Sequence, residues 1–187
     1  APIGPCPFPP SLQAATVTLH ITQLEGGNAL SSFRAQQLLP QLQAIHPKIE
    51  GLAARHVHLV ARDAAPSEAE RERLAALLNY GDPYAGPVDG LALLVTPRLG
   101  TVSPWASKAT DIAHNCGLQL RRVERITEYR ISLKGGLLGG RPELTPEQLQ
   151  QVAALLHDRM TESVVATRAE AEKLFIELEV EPMAFVD

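Results

Sequence analysis

Apolar residues recur along the chain at two spacings, and these divide it into alternating strands and helices. Alternation of apolar and polar residues, or a short isolated apolar run, predicts a strand, whereas recurrence every three or four positions predicts a helix. On this basis strands are predicted at 16–22, 53–61, 91–96 and 121–133, and helices at 31–45, after Ser67, at 103–117, after Thr145 and at 168–175. The order predicts a layered domain with helices against a sheet, and the pattern alone leaves parallel and antiparallel sheets open.

The helix with the clearest ends is predicted at 103–117. Ser103 suits the capping position, and Pro104 suits the first helical position because it lacks the N–H that would stay unbonded there. Gly117 suits the left-handed conformation that closes a last turn. Apolar residues at helical spacing predict one buried stripe, made of Trp105, Ala109, Ile112, Ala113 and Cys116. The simplest interpretation is an amphipathic helix packed on a sheet, with a buried and inert Cys116.

Three strand features call for local explanations. Gly26 and Gly27 are expected to end the first strand. Charged residues at 122–125 would lie on both faces of their strand, which favours a sheet edge or a bulge. His56 and His58 share one face of the second strand, but no carboxylate or cysteine stands at a supporting spacing for a metal site, so exposed histidines are favoured over metal ligands.

Composition bounds the class of protein. The chain has 187 residues, 45% of them hydrophobic, and a net charge of -4, which argues against a nucleic-acid partner. No apolar run approaches the length of a membrane span, and no signal sequence opens the chain. Cys6 and Cys116 lack the spacing of a metal knuckle or disulfide framework, and they fit a cytoplasmic protein.

Four segments carry a resemblance to a known family. The longest is PRLGTVSPWASKATDIAHNCGL at 97–118; the others are ALSSFR at 29–34, RRVER at 121–125 and LHDRMTES at 156–163. In this order they resemble the N-terminal region of the large single-chain phosphoribosylformylglycinamidine synthase, the amidotransferase of purine biosynthesis. The long segment is specific, whereas the shorter ones would be weak alone.

The resemblance implies a fold and a domain division. This region of the family looks like a duplicated version of the small subunit of multi-subunit synthases, so we expect an α+β fold: an antiparallel sheet with helices on one face, in duplicated ferredoxin-like halves. Residues 1–15 are expected to form a flexible proline-rich arm, 16–165 the small-subunit-like domain, and 166–187 the start of a linker toward the catalytic domains. The loop at 134–140 is expected to be flexible.

The resemblance also implies what this chain does. The family reaction uses glutamine and ATP to convert formylglycinamide ribonucleotide into formylglycinamidine ribonucleotide. Its ATP and magnesium sites belong to a central domain and its Cys-His-Glu glutaminase triad to a C-terminal one, so no catalytic residue, metal or cofactor is expected here. The expected partners are the synthetase and glutaminase domains of the same polypeptide, which this domain would dock together while supporting ammonia transfer.

Two function classes remain open. For the docking domain, the expected interface or coupling residues come from the long segment: Arg98, Thr101, Ser103, Trp105, Ser107, Lys108 and Asp111. The alternative is an independent hydrolase that uses Cys116 with His114 or His157. No third orienting residue can be placed for that alternative, and neighbours on one helix rarely give the geometry that Cys-His catalysis needs.

Overall fold

A single antiparallel sheet forms the centre of the protein. The computed structural model describes residues 19–135 and 143–176. The strands are β1 (His20–Asn28), β2 (Ile49–Arg62), β3 (Leu91–Pro97), β4 (Arg122–Leu133) and β5 (Glu162–Val165). They lie in the order β1-β2-β4-β3-β5, and each neighbouring pair is antiparallel. The predicted α+β fold with an antiparallel sheet is therefore confirmed, while the duplication of its halves stays a prediction.

Four helices pack on one face of this sheet, which we call the helix face. They are α1 (Ser32–Ile45), α2 (Glu68–Leu78), α3 (Pro104–Asn115) and α4 (Pro146–Leu156). Each begins after a serine or threonine whose side chain accepts a backbone N–H of the first turn: Ser31, Ser67, Ser103 and Thr145. Such caps satisfy donors that have no partner within the helix, and so they fix where each helix begins.

Apolar residues of the helix face fall into two clusters. The first joins α1 and α4 to the sheet through Leu42 and Val152. The second joins α2 and α3 to the sheet through Leu74 and Ala113. Polar side chains of β2 and β4 lie between the two clusters, and they contribute to the candidate site.

A short terminal segment covers the opposite side of the sheet, which we call the second face. It consists of α5 (Arg168–Ala171) and a 3₁₀ helix (Glu172–Phe175). Ala171 and Leu174 from this segment pack with apolar residues of three strands: Val57, Leu59, Leu94 and Ile126. Both faces of the central strands are therefore covered, rather than one face as the resemblance implied.

The structure agrees in part with the expected position of β4. This strand pairs with β2 over 122–133 without a bulge at 122–125, whereas β3 pairs only with 127–131, so residues 122–125 have one edge that is unpaired among the described residues. Its buried carboxylates, Glu124 and Glu128, lie on the second face near arginines. Ion pairing therefore accommodates the charges of β4 on the second face.

The first strand also differs from its prediction. β1 begins at His20 and continues through both glycines, which lie at a register shift between Glu25 and Asn28. A Cβ at Gly27 would approach the Asp82 carbonyl oxygen to 2.6 Å, so the loop after α2 reaches this strand closely because Gly27 has no side chain. The predicted arm at 1–15 and most of the predicted loop at 134–140 lie outside the described residues.

A candidate protein interface around helix α3

Helix α3 has the predicted ends but a different buried face. The Ser103 hydroxyl accepts the Ala106 N–H at 3.0 Å, and Gly117 has the left-handed φ of +76°. The residues that face the sheet are Ala106, Thr110 and Ala113, whereas Ile112 and Cys116 of the predicted stripe are exposed. The Thr110 hydroxyl accepts the Val123 N–H at 3.0 Å, which satisfies a strand donor that an apolar side chain would leave unbonded. The expectation of a buried Cys116 is therefore wrong.

A groove of about 580 Å³ opens beside the N-terminus of α3. One wall is the loop at 98–103, and the other is formed by residues 160–162 at the start of β5. Trp105, Arg125 and Thr127 line it from α3 and β4. The groove is thus assembled from parts of the chain far apart in sequence, and three of the four segments that carry the resemblance contribute to it.

Four of the seven predicted interface residues line this groove: Arg98, Thr101, Ser103 and Trp105. Two hydrogen bonds hold the loop. The Arg98 N–H donates to the carbonyl of Thr161 in the opposite wall at 3.0 Å, and the Thr101 hydroxyl donates to the Arg98 carbonyl at 2.6 Å. The structure therefore brings these four predicted residues together in one surface.

The other three predicted residues, Ser107, Lys108 and Asp111, are exposed on α3 and do not line the groove. Among the described residues, no carboxylate lies within 4.0 Å of Lys108 and no cationic nitrogen within 4.0 Å of Asp111, so the i, i+3 pair that their spacing allows is not formed. Both charges are free to meet a partner.

A buried carboxyl group anchors the start of α3 to β4. The Ser103 hydroxyl donates to Glu124 at 3.1 Å, and the Ser103 backbone N–H lies 3.5 Å from the other carboxyl oxygen. Glu124 is fully buried, and burial raises its pKa against the opposing charge of Arg122, whose Nε lies 3.6 Å away. The position of the groove's loop therefore depends on a strand residue on the second face.

The floor beside the groove is a cluster that we call the polar seam: His56, His58, Tyr80, Trp105 and Arg125. His58 is fully buried, its Nε2 lies 2.9 Å from the Tyr80 hydroxyl, and its ring stacks on Trp105 at 5.5 Å between centroids. Burial, together with the smaller effects of His56 and the Arg125 charge, lowers the pKa of His58 to about 4. The expectation of exposed strand histidines is therefore wrong for His58 and only half right for His56, which is half-buried.

Arg125 completes the polar seam. Its guanidinium lies 4.7 Å from the centroid of the Trp105 ring and donates to the Tyr80 hydroxyl at 3.2 Å. Sequence reasoning did not single out Tyr80 or Arg125. No pattern within one strand could have found Arg125, because it lies beside His56 and His58 only through the pairing of β2 with β4.

The alternative hydrolase residues are not brought together. Cys116 lies at the end of α3, and the His114 Nε2 is 2.8 Å from the Leu120 carbonyl oxygen. His157 lies at the end of α4, where its Nδ1 contacts the Ala153 carbonyl oxygen. Nothing in the described residues favours the hydrolase interpretation.

Residues 19–135 and 143–176 contain neither a cluster of metal-binding side chains nor a membrane-spanning helix. No group of three or more His, Cys, Asp or Glu side chains there is arranged to hold a metal ion. No helix in the same ranges has both the length and the apolar character needed to cross a membrane.

The chain matches a known protein family. The family model described as "Formylglycinamide ribonucleotide amidotransferase N-terminal" matches residues 55–175, well over half of the chain. The matched region includes part of β2, all of β3 to β5, the polar seam and both walls of the groove.

Proposed function

We propose, because this chain belongs to the formylglycinamide ribonucleotide amidotransferase N-terminal family, that it docks the synthetase and glutaminase domains of that enzyme against each other. In this role it contributes no catalytic group. ATP, magnesium and the glutaminase triad belong to the other domains, and the chain supports the transfer of ammonia between them. The enzyme acts in purine biosynthesis, in the cytoplasm.

The observation that carries the proposal is the composition of the groove and its surroundings. Leu99, Val102 and Met160 are large apolar residues whose side chains are 41%, 52% and 76% exposed. Trp105 and Arg125 lie between the two walls. Trp and Arg contribute disproportionately to binding energy at protein interfaces, and apolar patches on a protein surface mark such interfaces.

The exposed charges of α3 supply the test of coupling. In the complete enzyme, we expect Lys108→Ala and Asp111→Ala to lower synthesis with glutamine more than synthesis with added ammonia, because ammonia from solution bypasses transfer between domains. An exposed unpaired charge stabilises the fold by no more than a few tenths of a kcal/mol, so the melting temperature should hardly change. Steady-state rates with each nitrogen source measure the effect.

Arg71→Ala and Glu72→Ala are matched controls, since both residues are exposed charges on α2. They should leave the ratio of the two rates unchanged. Equal loss with glutamine and ammonia in the Lys108 and Asp111 variants would instead indicate an effect on the synthetase site. No loss with either nitrogen source would remove α3 from the coupling surface.

A further inference from the structure

Arg125 differs from the other arginines that are buried or half-buried in the described residues. Six arginines have this degree of burial: Arg55, Arg62, Arg122, Arg125, Arg130 and Arg168. Five of them have a carboxylate within 4.0 Å, and Arg125 has none among the residues described. Removing a guanidinium from water is costly unless an anion compensates, so the structure leaves one such cation to be compensated from outside the described residues.

The surroundings of Arg125 leave it ready to bind an anion. One face of its guanidinium rests on the Trp105 ring, and one nitrogen donates to the Tyr80 hydroxyl. A guanidinium carries five N–H donors, so most of its donors remain for a ligand in the groove that it lines. The neighbouring His56 and His58 are neutral near pH 7, since burial and the Arg125 charge hold the pKa of each at about 4.

The rest of the groove is also short of negative charge. Arg98 lines it from the loop wall and has no ion-pair partner among the described residues. Glu162 is the carboxylate of the lining, and one of its oxygens already accepts the Asp158 N–H at 2.8 Å. Two arginines therefore face one partly satisfied carboxylate, in a chain whose net charge is -4.

We propose that an acidic side chain from the catalytic domains of the synthase enters this groove and forms a bidentate ion pair with Arg125. Arg98 supplies a second positive charge at the loop wall. The inference rests on the proposed docking function and names the chemistry of the docked segment. Arginine is suited to this because its planar fork matches a carboxylate while its face stacks on an aromatic ring. The exposed Val102 and Met160 beside the groove favour a protein segment over a free anion, since an anion alone would leave them in water.

The chain offers a direct probe of the groove because Trp105 is its only tryptophan. Labelling with 5-fluorotryptophan gives a single ¹⁹F resonance from the seam, which can be followed as the rest of the synthase polypeptide, produced separately and unlabelled, is added. We expect a saturating shift of this resonance. Arg125→Gln should weaken the association by about tenfold or more, and Arg125→Lys, which keeps the charge but not the fork, by severalfold.

Arg73→Gln is the matched control, because Arg73 is an exposed arginine of α2 outside the groove lining. Its affinity should equal that of the unchanged chain. The affinity of the unchanged chain should fall with added salt more steeply than that of Arg125→Gln. If the Arg125→Gln variant does not fold, Arg98→Gln in the exposed loop tests the proposal instead. It should weaken the association by about threefold or more.

The outcomes separate this inference from the docking function. If the substitutions at Arg125 and Arg98 leave the association unaffected, the acidic side chain does not bind in the groove, and the docking function still stands. Absence of association by the unchanged chain overturns both. Inorganic phosphate is titrated in parallel, and a saturating shift at submillimolar phosphate would assign the groove to a small anion and overturn the proposal of a docked side chain.

Discussion

His58 shows how a titratable residue is held neutral inside the sheet layer. Its ring lies between the Tyr80 hydroxyl and the Trp105 ring, and its Nδ1 has no hydrogen-bond partner in the described residues. A Cβ at Gly26 would lie 2.6 Å from the His58 Cε1, so the missing side chain of Gly26 makes room for the imidazole. No carboxylate of the described residues forms an ion pair with His58, and burial makes protonation of its ring unfavourable.

This environment predicts how stability depends on pH. The pKa values of His56 and His58 are about 4 in the folded protein and near 6.5 when unfolded, so between these values the unfolded chain binds more protons. Stability should therefore fall as the pH decreases from about 6.5 to 4. Urea unfolding followed through the Trp105 fluorescence at several pH values measures the slope.

The matched variant for this pH effect is His58→Phe, which keeps an aromatic ring against Trp105 and removes one of the two titrations. This variant should lose less stability than the unchanged chain as the pH falls from about 6.5 to 4, even though the loss of the Tyr80 contact lowers its stability at pH 7. Direct histidine titration by NMR provides an independent check. Titration of the His56 or His58 imidazole near pH 6.5 in the folded chain would contradict the expected burial effect.

At the residue scale, alternation predicted that the two histidines share a face but not what covers that face. Tyr80 and Trp105 cover this face of β2, and they are 22 and 47 residues away from His58 along the chain. Arg125 was missed for the same reason, since it lies opposite His58 only through the pairing of β2 with β4. Sequence spacing within one strand carries no information about that pairing.

Helix α3 illustrates how a local cap becomes coupled to a distant strand. Ser67 and Ser103 cap their helices in the same way, each accepting a backbone N–H from three residues ahead. Ser103 additionally donates to Glu124, which is fully buried, whereas the hydroxyl of Ser67 donates to the partly exposed Glu70. Removing the Ser103 hydroxyl therefore takes a hydrogen-bond donor away from a buried carboxyl group, whereas removing the Ser67 hydroxyl does not.

We expect Ser103→Ala to destabilise the protein by about 2 kcal/mol and Ser67→Ala by about 1 kcal/mol. The first value combines the loss of a cap with the loss of a donor to a buried carboxyl group, and the second reflects the cap alone. Chemical denaturation of the two variants gives the comparison. Equal losses would mean that Glu124 finds another donor and that the loop wall of the groove is not anchored through it.

Element boundaries were largely predictable because they depend on nearby residues. Both capping boxes, at Ser67 with Glu70 and at Thr145 with Gln148, are formed as their spacing indicates. The central place of β4 was not predictable, because it depends on which strands its edges meet and on ion pairs with arginines elsewhere in the chain. Charges in a strand are compatible with a central place in the sheet where opposite charges are buried with them, as around Glu128.

On the scale of the whole molecule, an ion cluster fastens the terminal segment to the second face. Glu128 is almost fully buried and accepts hydrogen bonds from Arg55, Arg130 and Arg168, the last of these at 2.8 Å. Burial opposes its ionisation, but the bonds from Arg168 and Arg130 outweigh burial and lower the pKa of Glu128 to about 2. The carboxylate therefore stays charged at any pH above about 4, and the cluster persists there.

Arg122 forms a second attachment between the terminal segment and the sheet. The Arg122 guanidinium lies 4.7 Å from the Phe175 ring centroid and donates to the Leu174 carbonyl oxygen. Together with the apolar contacts of Ala171 and Leu174, these attachments make residues 168–175 part of the folded unit. The division at residue 165 was implied by the resemblance and stays a prediction, and no local pattern indicated that the following residues would contact the sheet.

The last prediction compares a chain ending at residue 165 with one ending at residue 176, so that the difference isolates the terminal segment. Without 166–176, apolar side chains of the second face become exposed, and Glu128 loses one of its three arginines. We expect the shorter chain to melt about 10 °C or more below the longer one, to bind the dye ANS, and to lose amide protection in β2 and β4. In the longer chain, Arg168→Ala should reproduce part of this loss by leaving Glu128 less compensated. Equal melting temperatures for the two chains would place the domain boundary at residue 165 after all.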